Sequence, residues 1–108
     1  MYFLDVENRP TKELAPGVHA KTFWGDKMLL SEVTIQPGCV VPLHSHPHEQ
    51  SGVILEGELT FTIGVETRIC KTGEMYIIPG GVQHSVTAHN GVVKVLDIFS
   101  PVREEYKY

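Results

Sequence analysis

The sequence has 108 residues, of which 42% are hydrophobic and 20% are charged, and this balance is typical of one globular domain over residues 1–108 rather than a disordered chain. Nine basic and thirteen acidic residues give a net charge of −4, which excludes the basic character of a typical nucleic-acid-binding domain. Apolar runs fall short of the roughly 18 residues that cross a bilayer, so we expect neither a nucleic acid nor a membrane as partner.

The amino-terminal segment predicts a cytoplasmic protein. It carries Asp5 and Glu7 where a signal peptide carries basic residues, and no long apolar stretch follows. Two cysteines, Cys39 and Cys70, could form one disulfide at most. We expect packed thiols, because the chain is not a disulfide-stapled scaffold.

Short apolar segments, cut at close intervals by glycine and proline, predict strands and no long helix. In chain order the predicted strands are Val18–Trp24, Met28–Gln36, Gly52–Leu55, Glu58–Val65, Thr67–Cys70, Met75–Ile78, His84–Ala88 and Val92–Phe99. The period of two is clearest where Leu59, Phe61 and Ile63 alternate with polar residues. About eight such strands predict an all-β fold, a β-barrel or a sandwich, and we expect a single jelly-roll β-barrel.

Four of the six histidines are concentrated in two short segments. His44, His46 and His48 lie in the first, and His84 lies in the second. On a strand, His44 and His46 would project from the same face, because side chains alternate. Two imidazoles on one face suit a borderline divalent metal. Pro47 is expected to end the strand, which leaves the role of His48 open.

The last predicted strand has an apolar face that is interrupted by Asp97. Its neighbours on this face are Val93, Val95 and Phe99. A carboxylate among apolar residues must be paired or functional, and Arg103 is a suitable bidentate partner. Two interpretations stay open: an ion pair between Asp97 and Arg103 that pins the tail, or a substrate role for both. Beyond Arg103 we expect a solvated tail.

Two spacings in the sequence resemble the two signatures of the cupin family. They are Gly38-x5-His44-x-His46-x3-Gln50-x6-Gly57 and Gly73-x5-Pro79-x-Gly81-x2-His84. Both motifs lie within residues 38–84, and the flanking predicted strands suit a cupin barrel over residues 1–108. The resemblance implies one divalent metal ion, with four ligands: His44, His46, Gln50 and His84.

Gln50 departs from the glutamate that is usual in the family. Three imidazoles and an amide leave the ion's charge uncompensated, which favours a Lewis acid that acts on an anionic substrate. Nickel, iron, manganese, cobalt and zinc all suit this ligand set. Glu49 could supply a carboxylate instead, although the six-residue gap from Gln50 to Gly57 favours Gln50. A barrel that has lost its metal is the competing interpretation.

The end of the chain is similar to that of a narrower group, the small KdgF-type cupins of pectin and alginate breakdown. The shared pattern is Asp97-x-Phe99-x3-Arg103, together with the glutamine at position 50. These proteins linearise 4,5-unsaturated uronates. The resemblance implies that Asp97 acts as acid and base, that Arg103 holds the sugar carboxylate and that Phe99 packs against the ring.

Two other functions remain in competition with this one. A metal-dependent cupin dioxygenase would consume oxygen, and a non-catalytic cupin would bind a small ligand without turnover. Turnover of unsaturated uronates distinguishes a uronate-linearising enzyme from the dioxygenase and from the non-catalytic cupin. Cupins commonly pair through apolar amino-terminal segments, so the segment Tyr2-Phe3-Leu4 predicts a homodimer with two-fold symmetry.

Overall fold

The computed structural model describes residues 2–108. Its strands are β1 (Lys12–Ala15), β2 (Val18–Trp24), β3 (Leu29–Ile35), β4 (Val40–His44), β5 (Glu49–Glu56), β6 (Glu58–Ile63), β7 (Glu66–Lys71), β8 (Met75–Ile78), β9 (His84–Ala88) and β10 (Val93–Ser100). A short 3-10 helix, Glu104–Tyr106, follows. The predicted all-β fold is confirmed. Within residues 2–108, the structure contains no helix that could cross a membrane.

Two antiparallel sheets enclose the core. One has six strands in the order β1-β2-β3-β10-β5-β8, and the other has four in the order β4-β9-β6-β7. Their inner faces meet through alternate apolar residues, among which Val18, Ile54 and Leu59 are fully buried. This arrangement of two packed sheets is the jelly roll that the alternation of apolar residues predicts.

Two strands, β1 and β4, were not among the predicted ones. β4 contains a proline and has no regular alternation of buried and exposed residues, so it lacks the period of two by which strands are predicted. β5 begins at Glu49, three residues before the predicted start, and it therefore includes Gln50. Cys39 and Cys70 are both free, half-buried thiols.

The carboxyl-terminal tail packs against the barrel, so the expectation that it is solvated beyond Arg103 is wrong. The Thr22 hydroxyl donates a hydrogen bond to the Tyr106 carbonyl. Arg9 donates to the Tyr108 carbonyl at 2.7 Å, and its guanidinium lies 4.0 Å from the centre of the Tyr108 ring. Tyr106 and Tyr108 in the tail each pack against an arginine guanidinium. The charged residues of the tail had suggested exposure to solvent instead.

Candidate metal centre

Three histidines converge at one end of the barrel. His44 ends β4 and lies opposite His84, the first residue of β9. The centre of the His84 ring lies 4.2 Å from that of His44 and 5.0 Å from that of His46. One ring nitrogen from each of the three lies within 4.8 Å of the other two. We had expected His44 and His46 to lie on one strand. In the structure β4 ends at His44, and the loop that follows it positions His46.

Hydrogen bonds set the tautomer of each of these histidines. Each Nδ1 faces a backbone carbonyl oxygen: Pro42 for His44 at 2.7 Å, His48 for His46 at 3.1 Å and Val82 for His84 at 2.9 Å. A carbonyl only accepts, so each Nδ1–H donates and each neutral ring keeps its lone pair on Nε2. Such support of the distal nitrogen is characteristic of metal-binding histidines.

The state of His84 fits a bound cation. Its Nε2 is buried and has no hydrogen-bond partner among the described residues. Burial lowers the pKa of His84 to about 4, and burial is also the main cause that lowers the pKa of His46, followed by the charge of Arg103. Both imidazoles are therefore neutral at neutral pH, as metal ligation requires.

Gln50 supplies an oxygen beside the three nitrogens. It is buried on β5, whereas Glu49 is exposed, so Glu49 does not take its place. The Oε1 atom of Gln50 lies 3.0 Å from Nε2 of His46. With the proton of His46 on Nδ1, both atoms offer lone pairs, and a cation bound by both relieves their repulsion. The fourth histidine of these segments, His48, is not part of the converging cluster.

Asp97 is buried on β10, and the hydroxyl of Tyr76 donates to its Oδ1. Burial raises the pKa of Asp97 to about 6, against the opposing effects of the Tyr76 hydroxyl, the neighbouring Gln50 amide and the charge of Arg103. Burial also raises the pKa of Tyr76, so its hydroxyl remains a donor. Tyr76 is not among the site residues that the sequence predicted.

Arg103 is buried without pairing directly with Asp97. Its Nε donates to Glu105 at 2.9 Å. The guanidinium lies 4.0 Å from the ring centre of Tyr106 and 5.2 Å from that of Phe99. The sequence had offered an ion pair between Asp97 and Arg103 that pins the tail. In the structure, Arg103 pairs with Glu105 instead.

A cavity joins these groups. An inner cavity of about 50 Å³ is lined by six of the seven predicted site residues: His44, Gln50, His84, Asp97, Phe99 and Arg103. The seventh, His46, lies beside it, with its ring centre 5.5 Å from that of Phe99. An outer pocket of about 320 Å³ shares His44, Arg103 and Tyr106 with the inner cavity. The inner cavity and the outer pocket therefore share part of their lining.

Metal analysis tests the ligand set. We expect one divalent ion per chain, with ligand atoms roughly 2.0–2.3 Å from it. His84→Ala should weaken metal affinity at least about tenfold, whereas His19→Ala should not, because His19 lies outside the cluster. Calorimetry on the stripped protein measures both. Absence of stoichiometric metal, or equal affinities in both variants, would contradict the assignment.

Comparisons with known proteins agree with this architecture. The family described as "Cupin domain" matches residues 31–99. Germin-like protein subfamily T member 2 of Arabidopsis thaliana is 34% identical over an alignment of 61 residues, and the match covers 51% of this chain but only 28% of that protein. The chain thus spans less than a third of this relative's length.

Two solved structures share the whole fold. KdgF from Halomonas sp. superposes with a TM-score of 0.91 at 23% identity, over 97% of this chain and 99% of that one. An RmlC-like cupin from Shewanella frigidimarina has a TM-score of 0.90 at 20% identity, over 99% of this chain and 96% of that one. Because the family match covers more than half of the sequence, this chain belongs to the cupin family.

Proposed function

We propose that this cupin is a metal-dependent enzyme that opens or tautomerises a 4,5-unsaturated uronate, a small acidic sugar from pectin or alginate breakdown. The observation that carries the proposal is one cavity in which Asp97, Phe99 and Arg103 face the cluster of three histidines and Gln50. The similarity in fold to KdgF from Halomonas sp. supports it.

The metal site would be formed by neutral ligands alone. One divalent transition metal, held by His44, His46, Gln50 and His84, would supply Lewis-acid polarisation of the sugar's oxygens. Because none of these ligands carries a negative charge, the site favours an anionic substrate. Nickel, iron, manganese, cobalt and zinc all fit the ligand set.

The remaining residues divide the work on the substrate. Asp97, with a pKa near 6, can take up and return a proton near neutral pH. Arg103 holds the sugar carboxylate, and the stacked ring of Tyr106 and the Glu105 carboxylate keep its guanidinium in place. Phe99 packs against the sugar ring and keeps water from the reacting atoms.

An absorbance assay tests the function. The metal-loaded protein should remove the conjugated double bond of unsaturated galacturonate or mannuronate, with loss of its ultraviolet absorbance. An oxygen electrode in the same experiment should show no oxygen uptake. Oxygen consumption would favour a cupin dioxygenase, and ligand binding without turnover would favour a non-catalytic cupin; both results would refute the proposal.

Gln50→Glu tests the neutral ligand set. A carboxylate at this position should keep the metal but lower the charge of the site by one, and it would face Asp97 without an amide donor. We expect turnover of the anionic substrate to fall about 10- to 100-fold. Glu49→Gln is the matched control, because its side chain is exposed. Turnover by Gln50→Glu at or above that of the unaltered protein would refute the charge argument.

The amino-terminal segment supports a proposed homodimer. Tyr2 is 96% exposed and Phe3 is 94% exposed in the single chain, an apolar surface that a second copy would cover. Light scattering at micromolar concentration should give twice the chain mass, and a Tyr2→Ser, Phe3→Ser double variant should give one. A single-chain mass for the unaltered protein would contradict the dimer.

A further inference from the structure

Tyr76 and Asp97 touch although they lie two strands apart. In the register of the six-stranded sheet, Asp97 on β10 lies opposite Gly52 on β5, and Gly52 lies opposite Tyr76 on β8. Neighbouring strands are about 4.8 Å apart, so the backbones of β10 and β8 are separated by roughly 10 Å. The hydroxyl of Tyr76 nevertheless donates to Oδ1 of Asp97, across the position of residue 52.

Gly52 is what makes this contact possible. Its φ lies outside the left-handed region, so the backbone at this position does not require glycine. A Cβ atom here would lie 2.6 Å from Oδ1 of Asp97 and would overlap the hydroxyl of Tyr76. Glycine weakens a strand interior and marks close approach, and here the approaching groups are these two side chains.

Packing of its ring fixes the orientation of the Tyr76 side chain. The ring of Tyr76 packs against that of Phe61, with 4.6 Å between centres, and Phe61 is buried in the core. The hydrogen bond from Tyr76 to Asp97 therefore comes from a fixed direction, and it restricts the rotation of the carboxylate.

We propose that Tyr76 is a positioning residue that holds the Asp97 carboxylate toward the cavity, and that Gly52 provides the space through which it does so. Its kinetic consequence rests on the proposed function, in which Asp97 moves a proton on the substrate. The structural arrangement of the two side chains does not depend on that function.

Tyr76→Phe tests the hydroxyl alone, because it keeps the ring and its contact with Phe61. We expect kcat to fall about 10- to 100-fold and KM to change less than about threefold, since Arg103 still binds the substrate carboxylate. Metal stoichiometry should be unchanged. Tyr108→Phe is the matched control: it removes a hydroxyl that bonds the Pro10 carbonyl outside the cavity, and its kcat should equal that of the unaltered protein.

A double-mutant cycle tests Gly52. Gly52→Ala should also lower kcat, and combining it with Tyr76→Phe should cost little more than the larger single effect, because both remove the same contact. Gly91→Ala is the control, since a Cβ there meets no atom within 4 Å. Fully additive losses would overturn the role of Gly52. If Gly52→Ala does not fold while Gly91→Ala does, the loss supports a need for space at position 52; the double variant should not recover, because a Cβ there would also lie 2.5 Å from Cζ of residue 76 and 2.6 Å from Oδ1 of Asp97. Normal folding with unaltered kcat in Gly52→Ala would overturn the role of Gly52.

A crystal structure of metal-free Tyr76→Phe provides a readout that needs no substrate. We expect the Asp97 carboxylate to leave the orientation it has in the unaltered protein. An unmoved carboxylate, or unaltered kcat in Tyr76→Phe, overturns the proposal. A rotated carboxylate in a protein that turns over no uronate supports the positioning role and refutes only the proposed function.

Discussion

Asp97→Asn should reduce kcat about 10²–10⁴-fold while leaving KM little changed. Asparagine keeps the shape of the side chain, but it cannot take up and return a proton. The carboxyl group is buried and lines the cavity, and burial raises its pKa to about 6. Steady-state kinetics on an unsaturated uronate measure the loss, and kcat equal to that of the unaltered protein would end the acid–base role.

Thermal unfolding of the metal-free protein is the control for this variant. The pKa of Asp97 is about 6 in the folded protein against an ordinary value of 3.8, so the folded state binds more protons between these values. The ionised carboxylate therefore destabilises the fold progressively as pH rises from about 4 to 6, and fully above that range. Asp97→Asn should melt at or above the temperature of the unaltered protein at pH 7, and this advantage should disappear by about pH 4.

Arg103→Ala should raise KM about 30- to 1,000-fold, equivalent to roughly 2–4 kcal/mol. The substrate carboxylate is present in both ground and transition states, so its loss of binding affects KM more than kcat. Arg103→Lys should restore only part of the affinity, because lysine lacks the planar two-pronged geometry. Substrate titrations of both variants measure the effect.

Arg68→Ala is the matched control for the loss of a positive charge, because Arg68 is exposed on β7. Its KM should stay close to that of the unaltered protein. A purely structural role for Arg103, through Glu105 and the stacked Tyr106, predicts a lower melting temperature with intact turnover per folded molecule. That result for Arg103→Ala would remove Arg103 from substrate binding.

The sequence by itself determined the all-β class, the family and the candidates for the site. Period-two alternation is a property of short segments, so β2, β8 and β9 were predicted with the bounds that the structure has. The resemblance of two motifs to the cupin signatures implied four metal ligands without any long-range information. Edge strand β1 and the proline-containing β4 lacked that local pattern and were missed.

Only the tertiary structure decided which of these residues meet, because contacts between distant strands depend on register and not on local pattern. The register of β10, β5 and β8 brings Tyr76 to Asp97 across Gly52. After β10 the chain turns, and Arg103 forms an ion pair with Glu105 rather than with Asp97. The first pairing joins residues 21 positions apart on strands that are not neighbours, and the spacing of residues along the sequence carries no information about it.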